Sequence, residues 1–294
     1  MSGANGAVSR RAMLSWAAAT GFGLAVGRMG FGQQPPAAPP RVLFFTKSAG
    51  FEHSVVKRER ADEPALAEKL VTEWFGGDAR VTCTKDGGVF TRDGLAACDV
   101  VIFCTTGDLT QAGTDGQPPV SAEGKRALLD AVARGDVGFV GVHCASDTWR
   151  GNGPDGRPDP YVQMLGGRFV AHGAQQRATM RVVDRAFPGA PPADVTLHEE
   201  WYAMDVVADD LHVIGVQETK GMDGVMYRRA PYPLTWARMH GRGRVFYTAL
   251  GHREDVWTNP MFTAMLAGAV QWAAGRAEAD VTPNLAVQRG REKE

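Results

Sequence analysis

The sequence predicts an α/β fold, a doubly wound and mostly parallel sheet with helices on both faces. Two observations predict it. Short, almost wholly apolar runs recur between residues 41 and 142, and segments with apolar residues at helical spacing alternate with them. A strand covered on both faces must be apolar throughout, and strand–helix alternation makes successive strands parallel.

The elements follow in order. Arg41-Val42-Leu43-Phe44-Phe45-Thr46 predicts a buried strand bounded by turn residues. Lys57 to Phe75 carries Leu66, Leu70 and Trp74 at helical spacing and stops at Gly76-Gly77, which predicts a helix. Arg80 to Thr84 predicts a second strand, and Asp99 to Cys104 (DVVIFC) a third. A helix opens at Ser121-Ala122-Glu123 and runs to about Arg134; Gly138 to Val142 follows as the fourth strand. The second half is less regular. A Gly/Pro/Asp loop over Asp155 to Pro160 precedes a short helix around Tyr161 to Leu165, and strands are expected at Ala178 to Val183 and Leu211 to Gln217. Thr235 to Arg238, the turn Gly241-Arg242-Gly243 and Arg244 to Tyr247 predict a hairpin. Pro260 to Trp272 is the last helix, with Pro in its first turn and Gly275 past its end.

The first forty residues do not belong to that fold. Two adjacent arginines, Arg10 and Arg11, precede a modest apolar run, Leu14 to Val26. The run is too short and too rich in Ala and Gly for a membrane span, which takes roughly 20 strongly apolar residues. A charged start, a weak apolar stretch and small residues near Ala25-Val26-Gly27 predict a signal peptide, and the paired arginines favour the twin-arginine route. Residues 33–40 (QQPPAAPP) add an extended Pro/Ala tether. The expected organisation is an export signal and tether over 1–40, one domain over 41–275, and a charged, fraying tail over 276–294. The mature protein is expected to be periplasmic or secreted, with no transmembrane segment.

Removing residues 1–28 takes away three arginines and no acid, so 29 basic minus 33 acidic side chains leave −4. Such a chain has no basic footprint for nucleic acid. Its expected partner is a small molecule, and the composition leaves homo-oligomerisation open. Four cysteines lack metal-type CxxC spacing, and Cys83, Cys104 and Cys144 lie in or beside apolar runs. They read as buried small apolar residues.

The chemistry-bearing residues gather where the predicted strands end. Lys47 to His53 follows the first strand, Thr105 to Asp108 the third, His143 to Asp147 the fourth, and Gly251-His252-Arg253-Glu254 the strand ending at Thr248. In open α/β sheets, ligands bind outside the carboxyl ends of strands. His53, His143 and His252, with a carboxylate, suit a divalent metal such as zinc or manganese with open positions. Candidate carboxylates are Glu199, Glu200, Asp147 and Glu254. The alternative is that these histidines bond loops or a sugar without a metal. His172, on a Gly-rich loop, could reach the site, whereas His212 and His240 read as structural. Aromatic faces beside polar groups suit sugar rings, and Phe51, Trp149, Trp201, Tyr202 and Trp257 all stand near these segments. Gly141-Val142-His143-Cys144-Ala145 has the small-residue pattern of a nucleophile elbow with His at its centre; a catalytic Cys144 with His252 as base is the weaker reading.

At these residues the chain resembles the ThuA-like (trehalose utilisation) family, through FFTKSAGFEHSVV, GFVGVHCASDTW, MLGGRFVAHG, HEEWYAMD and PLTWARMHGRGRVFYTALGH. The resemblance runs from Arg41 to about Ala274. It implies a flavodoxin-like fold similar to class I glutamine amidotransferase domains, with His143 where those enzymes carry a catalytic Cys. It also implies carbohydrate metabolism through keto sugars, with metal-assisted isomerisation as the sharpest activity. His53, His143 and His252 are then the metal ligands, and Glu200, Asp147 and His143 the catalytic groups. Lys47, Trp149, His172, Trp201 and Tyr202 are the expected substrate contacts. Metal-dependent hydrolysis of a glycoside or ester, and sugar binding without turnover, are the alternatives.

Overall fold

The structure, a computed structural model, describes residues 38–286 except Asp78 and Pro154. The expected export signal lies outside the described residues. Among the described residues, no helix is long and apolar enough to cross a membrane.

The expected early strands form as β1 (Arg41–Phe45), β2 (Arg80–Thr84), β3 (Val100–Phe103) and β4 (Gly138–Val142). β3 and β4 are buried at every position, as their uninterrupted apolar sequence requires. α1 (Leu66–Trp74) starts later than the expected helix. Pro64 disfavours helical backbone just before it. The Glu68 carboxylate then accepts the Ala65 N–H at 2.9 Å and closes the first turn.

α2 (Arg92–Ala96) leads into β3, and α3 (Ala122–Arg134) joins β3 to β4. Ser121 Oγ accepts the Gly124 N–H at 2.9 Å, and Gly135 ends the helix in the left-handed region at φ 74°. Ser121→Ala is expected to lower stability by about 1 kcal/mol, read by thermal unfolding.

After α4 (Pro160–Leu165) come β5 (Arg168–His172), β6 (Gln176–Val182), β7 (Val195–Glu199), β8 (Tyr202–Asp205) and β9 (His212–Gln217). The expected hairpin is β10 (Tyr232–His240) with β11 (Gly243–Thr248), followed by α5 (Glu254–Trp257) and α6 (Pro260–Ala273).

A nine-stranded sheet runs β2-β1-β3-β4-β11-β10-β9-β6-β7, and β5 pairs with β8 in a separate ribbon. The sheet is mixed. Neighbours from β2 to β11 are parallel, whereas those from β11 to β7 are antiparallel. The expectation of mostly parallel pairing therefore describes only the first half of the order. The Gly241–Gly243 turn reverses the chain too tightly for a crossover helix, so β10 must run antiparallel to β11.

The start of the tail does not fray. Leu285 is buried, the Asn284 side chain accepts the Val213 N–H at 2.7 Å, and the Thr282 carbonyl meets His212 Nδ1 at 2.8 Å.

Candidate metal centre

The parallel half of the sheet delivers the site. The chain leaves β1 toward His53, β3 toward Gly107, β4 directly into His143, and β11 toward His252. The order turns back between β1 and β3, which both run beside other strands of lower or higher number. Such a point opens a crevice at the strand ends. Glu200 arrives from the other direction, in the short link between β7 and β8.

The donor atoms of His53, His143, Glu200 and His252 all lie within 4.8 Å of one another. The imidazole centroids are 5.0 Å apart for His53–His143 and His53–His252, and 5.3 Å for His143–His252. Glu200 Oε2 stands 3.4 Å from His143 Nε2 and 3.1 Å from His252 Nδ1. Its other oxygen, Oε1, is 3.2 Å from His172 Nδ1. His53 Nδ1, His143 Nε2 and His252 Nδ1 are buried without a hydrogen-bond partner. Buried polar atoms left bare around one point are costly unless something occupies it. Three nitrogens and one carboxylate oxygen suit a divalent transition metal, so the residues fit such an ion.

The local backbone explains how each ligand is aimed. His143 sits at φ 45°, a left-handed conformation that turns its ring off the end of β4. Nδ1 donates to the Ala249 carbonyl at 2.7 Å, which leaves the Nε2 lone pair facing Glu200 in the neutral ring. The Tyr202 ring packs 4.1 Å from the imidazole. His252 follows Gly251, whose φ of 118° is open to glycine alone at low cost. Beneath them, Glu199 Oε1 accepts the backbone N–H of Glu200 at 2.9 Å and of His252 at 3.1 Å.

The electrostatics favour a cation. Burial pushes His53 down to about 2, with His143 and His252 adding to the effect, so its ring is neutral. His143 is likewise pushed down by burial. Burial acts to raise Glu200, but His143 and His252 outweigh it and hold the carboxyl well below its usual range. An ionised carboxylate among His143, His172 and His252 is suited to meet a cation. Asp147, in the wall of the adjoining chamber, has its carboxyl raised by burial against the opposing pull of Arg150.

Gln175 had no signal in the sequence beyond its place three residues after His172, and it controls His252. Its Oε1 accepts from Arg253 Nη1 at 2.7 Å, which turns its Nε2 onto His252 Nε2 at 2.9 Å. That arrangement keeps the ring proton on Nδ1. Ligation through Nδ1 requires the proton on Nε2 and the amide oxygen turned toward it. Gln175→Glu, an obligate acceptor, is expected to tighten divalent-metal binding about tenfold, and Gln175→Ala, which removes the opposing donor without supplying an acceptor, to tighten it by less, read by chelator competition.

One cavity adjoins the cluster and a second lies next to it. A chamber of about 180 Å³ is lined by His53, His172, Glu200 and Tyr202 among others. A groove of about 630 Å³ is lined by residues that include Asp108, Lys125 and Trp149. Phe51, Asp147 and Phe169 line both. His172 and Tyr202 are brought there as a cross-strand pair of the β5–β8 ribbon.

Two expected substrate contacts are elsewhere. Lys47 is fully buried, and its Nζ bonds Asp115 at 2.7 Å and the Gln117 carbonyl at 2.8 Å, because an ammonium taken out of water must find a carboxylate. Trp201 is fully buried, with Nε1 donating to the Gln176 carbonyl at 2.9 Å. Glu254 is also outside the cluster and accepts from Ser54 Oγ at 2.5 Å. Cys144 is buried, its Sγ is 3.7 Å from Cys104 Sγ, and burial pushes its thiol well up, which argues against a thiolate nucleophile. His212 is structural, held between Asp184 and Thr282.

A family model described as ThuA, trehalose utilisation, matches residues 41–273. Among solved structures, the chain is similar to a ThuA-like protein from Bacteroides uniformis, with a TM-score of 0.62 and 19% identity over 86% of this chain and 99% of that one. A ThuA-like protein from Parabacteroides merdae superposes with a TM-score of 0.58 and 15% identity, covering 83% of this chain and 93% of that one. A cytoplasmic protein from Salmonella typhimurium follows at 0.51 and 12%, covering 80% and 98%. Comparison with curated proteins gives no match.

Proposed function

The chain belongs to the ThuA family, associated with carbohydrate utilisation, and from that premise we propose that it is a metal-assisted enzyme that isomerises a keto sugar or keto-glycoside. The observation that carries the reading is the convergence of three bare imidazole nitrogens and Glu200 within 4.8 Å of one another, with His53 and Glu200 also lining a chamber of about 180 Å³. His53, His143, His252 and Glu200 would hold the ion. A divalent ion there supplies a Lewis acid for a carbonyl oxygen.

The remaining work falls to side chains of the chamber wall. Phe51, Phe169 and Tyr202 offer apolar faces to a sugar ring, and His172 is placed to bond its hydroxyls. Asp147 takes the proton from the carbon beside the carbonyl and returns it to the former carbonyl carbon. A hydroxyl proton moves between the two oxygens, so carbonyl and hydroxyl exchange places with no net loss of atoms. Burial of Asp147 keeps its carboxyl nearer neutrality, which suits a group that must both accept and give a proton.

The order β2-β1-β3-β4 supports reading the parallel half as a flavodoxin-like, doubly wound unit with helices on both faces, extended by an antiparallel half. The Arg10-Arg11 start supports export by the twin-arginine route to the periplasm or beyond. The test is elemental analysis of the purified protein, then nuclear magnetic resonance of keto sugars incubated with it. Stoichiometric metal and a shifted carbonyl are expected, and Asp147→Asn should keep the metal and lose turnover. Cleaved products would move the reading to hydrolysis; a metal-free protein that binds sugar unchanged would replace it with a binding function.

A further inference from the structure

One strand grips His143 at both ends and also carries His252. β11 lies beside β4, with Tyr247 paired to Gly141. The Tyr247 side chain is fully buried, and its ring packs on Trp236 with centroids 4.5 Å apart. The ring reaches past Gly141, where a Cβ would crowd Tyr247 Cδ2 at 3.0 Å. Its hydroxyl donates to the His143 carbonyl at 2.8 Å. Two residues on, the Ala249 carbonyl takes the Nδ1 proton of the same histidine at 2.7 Å. The chain then runs through Gly251 to His252. Backbone and ring of one donor residue are thus tied to the strand that delivers another.

The hydroxyl contact has a particular use at this residue. His143 holds a left-handed φ of 45° without being glycine, a state that persists only where the surroundings over-determine it. A return to ordinary backbone would break the Tyr247 bond and leave a buried hydroxyl bare. Ser146 Oγ stands 2.8 Å from the Tyr247 oxygen and 3.3 Å from the same carbonyl. With Ser146 donating to Tyr247, each hydroxyl proton has an acceptor and the Tyr247 proton is left for His143. Burial pushes the Tyr247 hydroxyl well up, so it stays a donor.

We propose that Tyr247 is a positioning residue of the metal centre, whose hydroxyl holds the His143 backbone in the conformation that aims Nε2 at Glu200 and His252. The proposal rests on the metal-centre reading above and deepens it by a residue that is not among the four donors. Tyr161 supplies the comparison within the same short turn, His143–Asp147. It is also fully buried, and its hydroxyl donates at 2.9 Å to the Ala145 carbonyl, two residues past the ligand.

Chelator competition with zinc tests the role on the full chain, Tyr247→Phe, Ser146→Ala and Tyr161→Phe, each alone and combined with His143→Ala. Urea unfolding of the metal-free proteins measures the structural cost of each change. Tyr247→Phe is expected to weaken zinc binding about tenfold, within the range for groups that orient a ligand. Ser146→Ala should weaken it by less, and Tyr161→Phe should lower stability but leave zinc affinity unchanged. Combined with His143→Ala, the Tyr247 change should have no further effect on affinity, because no ring is left to aim. Wild-type affinity in Tyr247→Phe, an equal loss in Tyr161→Phe, or a loss undiminished without His143 would overturn the positioning role and leave the metal centre standing. If Tyr247→Phe does not fold, unchanged affinity in Ser146→Ala would overturn it instead. A wild-type chain that takes up no zinc would overturn both.

Discussion

His143→Ala is expected to lower divalent-metal affinity by more than about 100-fold, beyond the 10- to 100-fold typical for loss of a group that only orients a ligand. His143 is the donor most strongly fixed by the fold. Its backbone is held at φ 45°, its Nδ1–H is spent on the Ala249 carbonyl, and Tyr202 covers one face of the ring. Ala at the same position keeps the backbone strain and supplies no donor atom. His172→Ala is the control, because His172 touches Glu200 Oε1 but is outside the four-residue cluster. Elemental analysis of both variants after dialysis against a weak chelator gives the readout. The control should keep its metal, and retention by His143→Ala would remove the histidine centre from the mechanism.

Glu199→Gln is expected to stabilise the metal-free protein at alkaline pH by roughly 3 kcal/mol and to leave it unchanged near pH 4, from about 1.4 kcal/mol per pKa unit. Burial raises the Glu199 carboxyl from 4.5 to about 7 in the folded chain, despite backbone donors and His252. Between those values the folded state holds a proton that the unfolded state has released. Stability therefore falls as pH rises through this window, and the loss is complete above the folded value. A glutamine cannot ionise, so its contribution is flat, and Oε1 still accepts the two backbone N–H groups. Urea unfolding of both proteins at pH 4 and pH 8, after chelation so that no cation lowers the carboxyl, measures the difference. An equal difference at the two pH values would contradict a buried, titrating Glu199.

The parallel strands and the three histidines were legible because both depend on short-range pattern. An uninterrupted apolar run such as Val100–Phe103 has few other uses, and a histidine one to eight residues past such a strand must lie at its carboxyl end. β5, β7 and β8 were not legible, since each is only four or five residues long and β5 pairs with β8 thirty or more residues along the chain. The same reason hid which carboxylate meets the histidines, since Glu200 stands on the β7–β8 link, which reaches over from the antiparallel half with no local signal. Lys47 was misjudged because its partner, Asp115, is 68 residues away. Trp201 and Tyr202 are adjacent, chemically similar and both buried, and no local signal tells that Tyr202 alone lines the chamber.

The four converging donors come from opposite ends of the domain. The neighbouring contact between Ser54 and Glu254 spans 200 positions. A fragment that stops before β11 lacks His252, so the four donors meet only once β11 lies beside β4. An ion bound there would act as a clasp across a very long loop. It stabilises by favouring the finished state over the open chain, in proportion to the logarithm of its concentration over its dissociation constant. Metal supply would then set how large a share of the molecules stands folded.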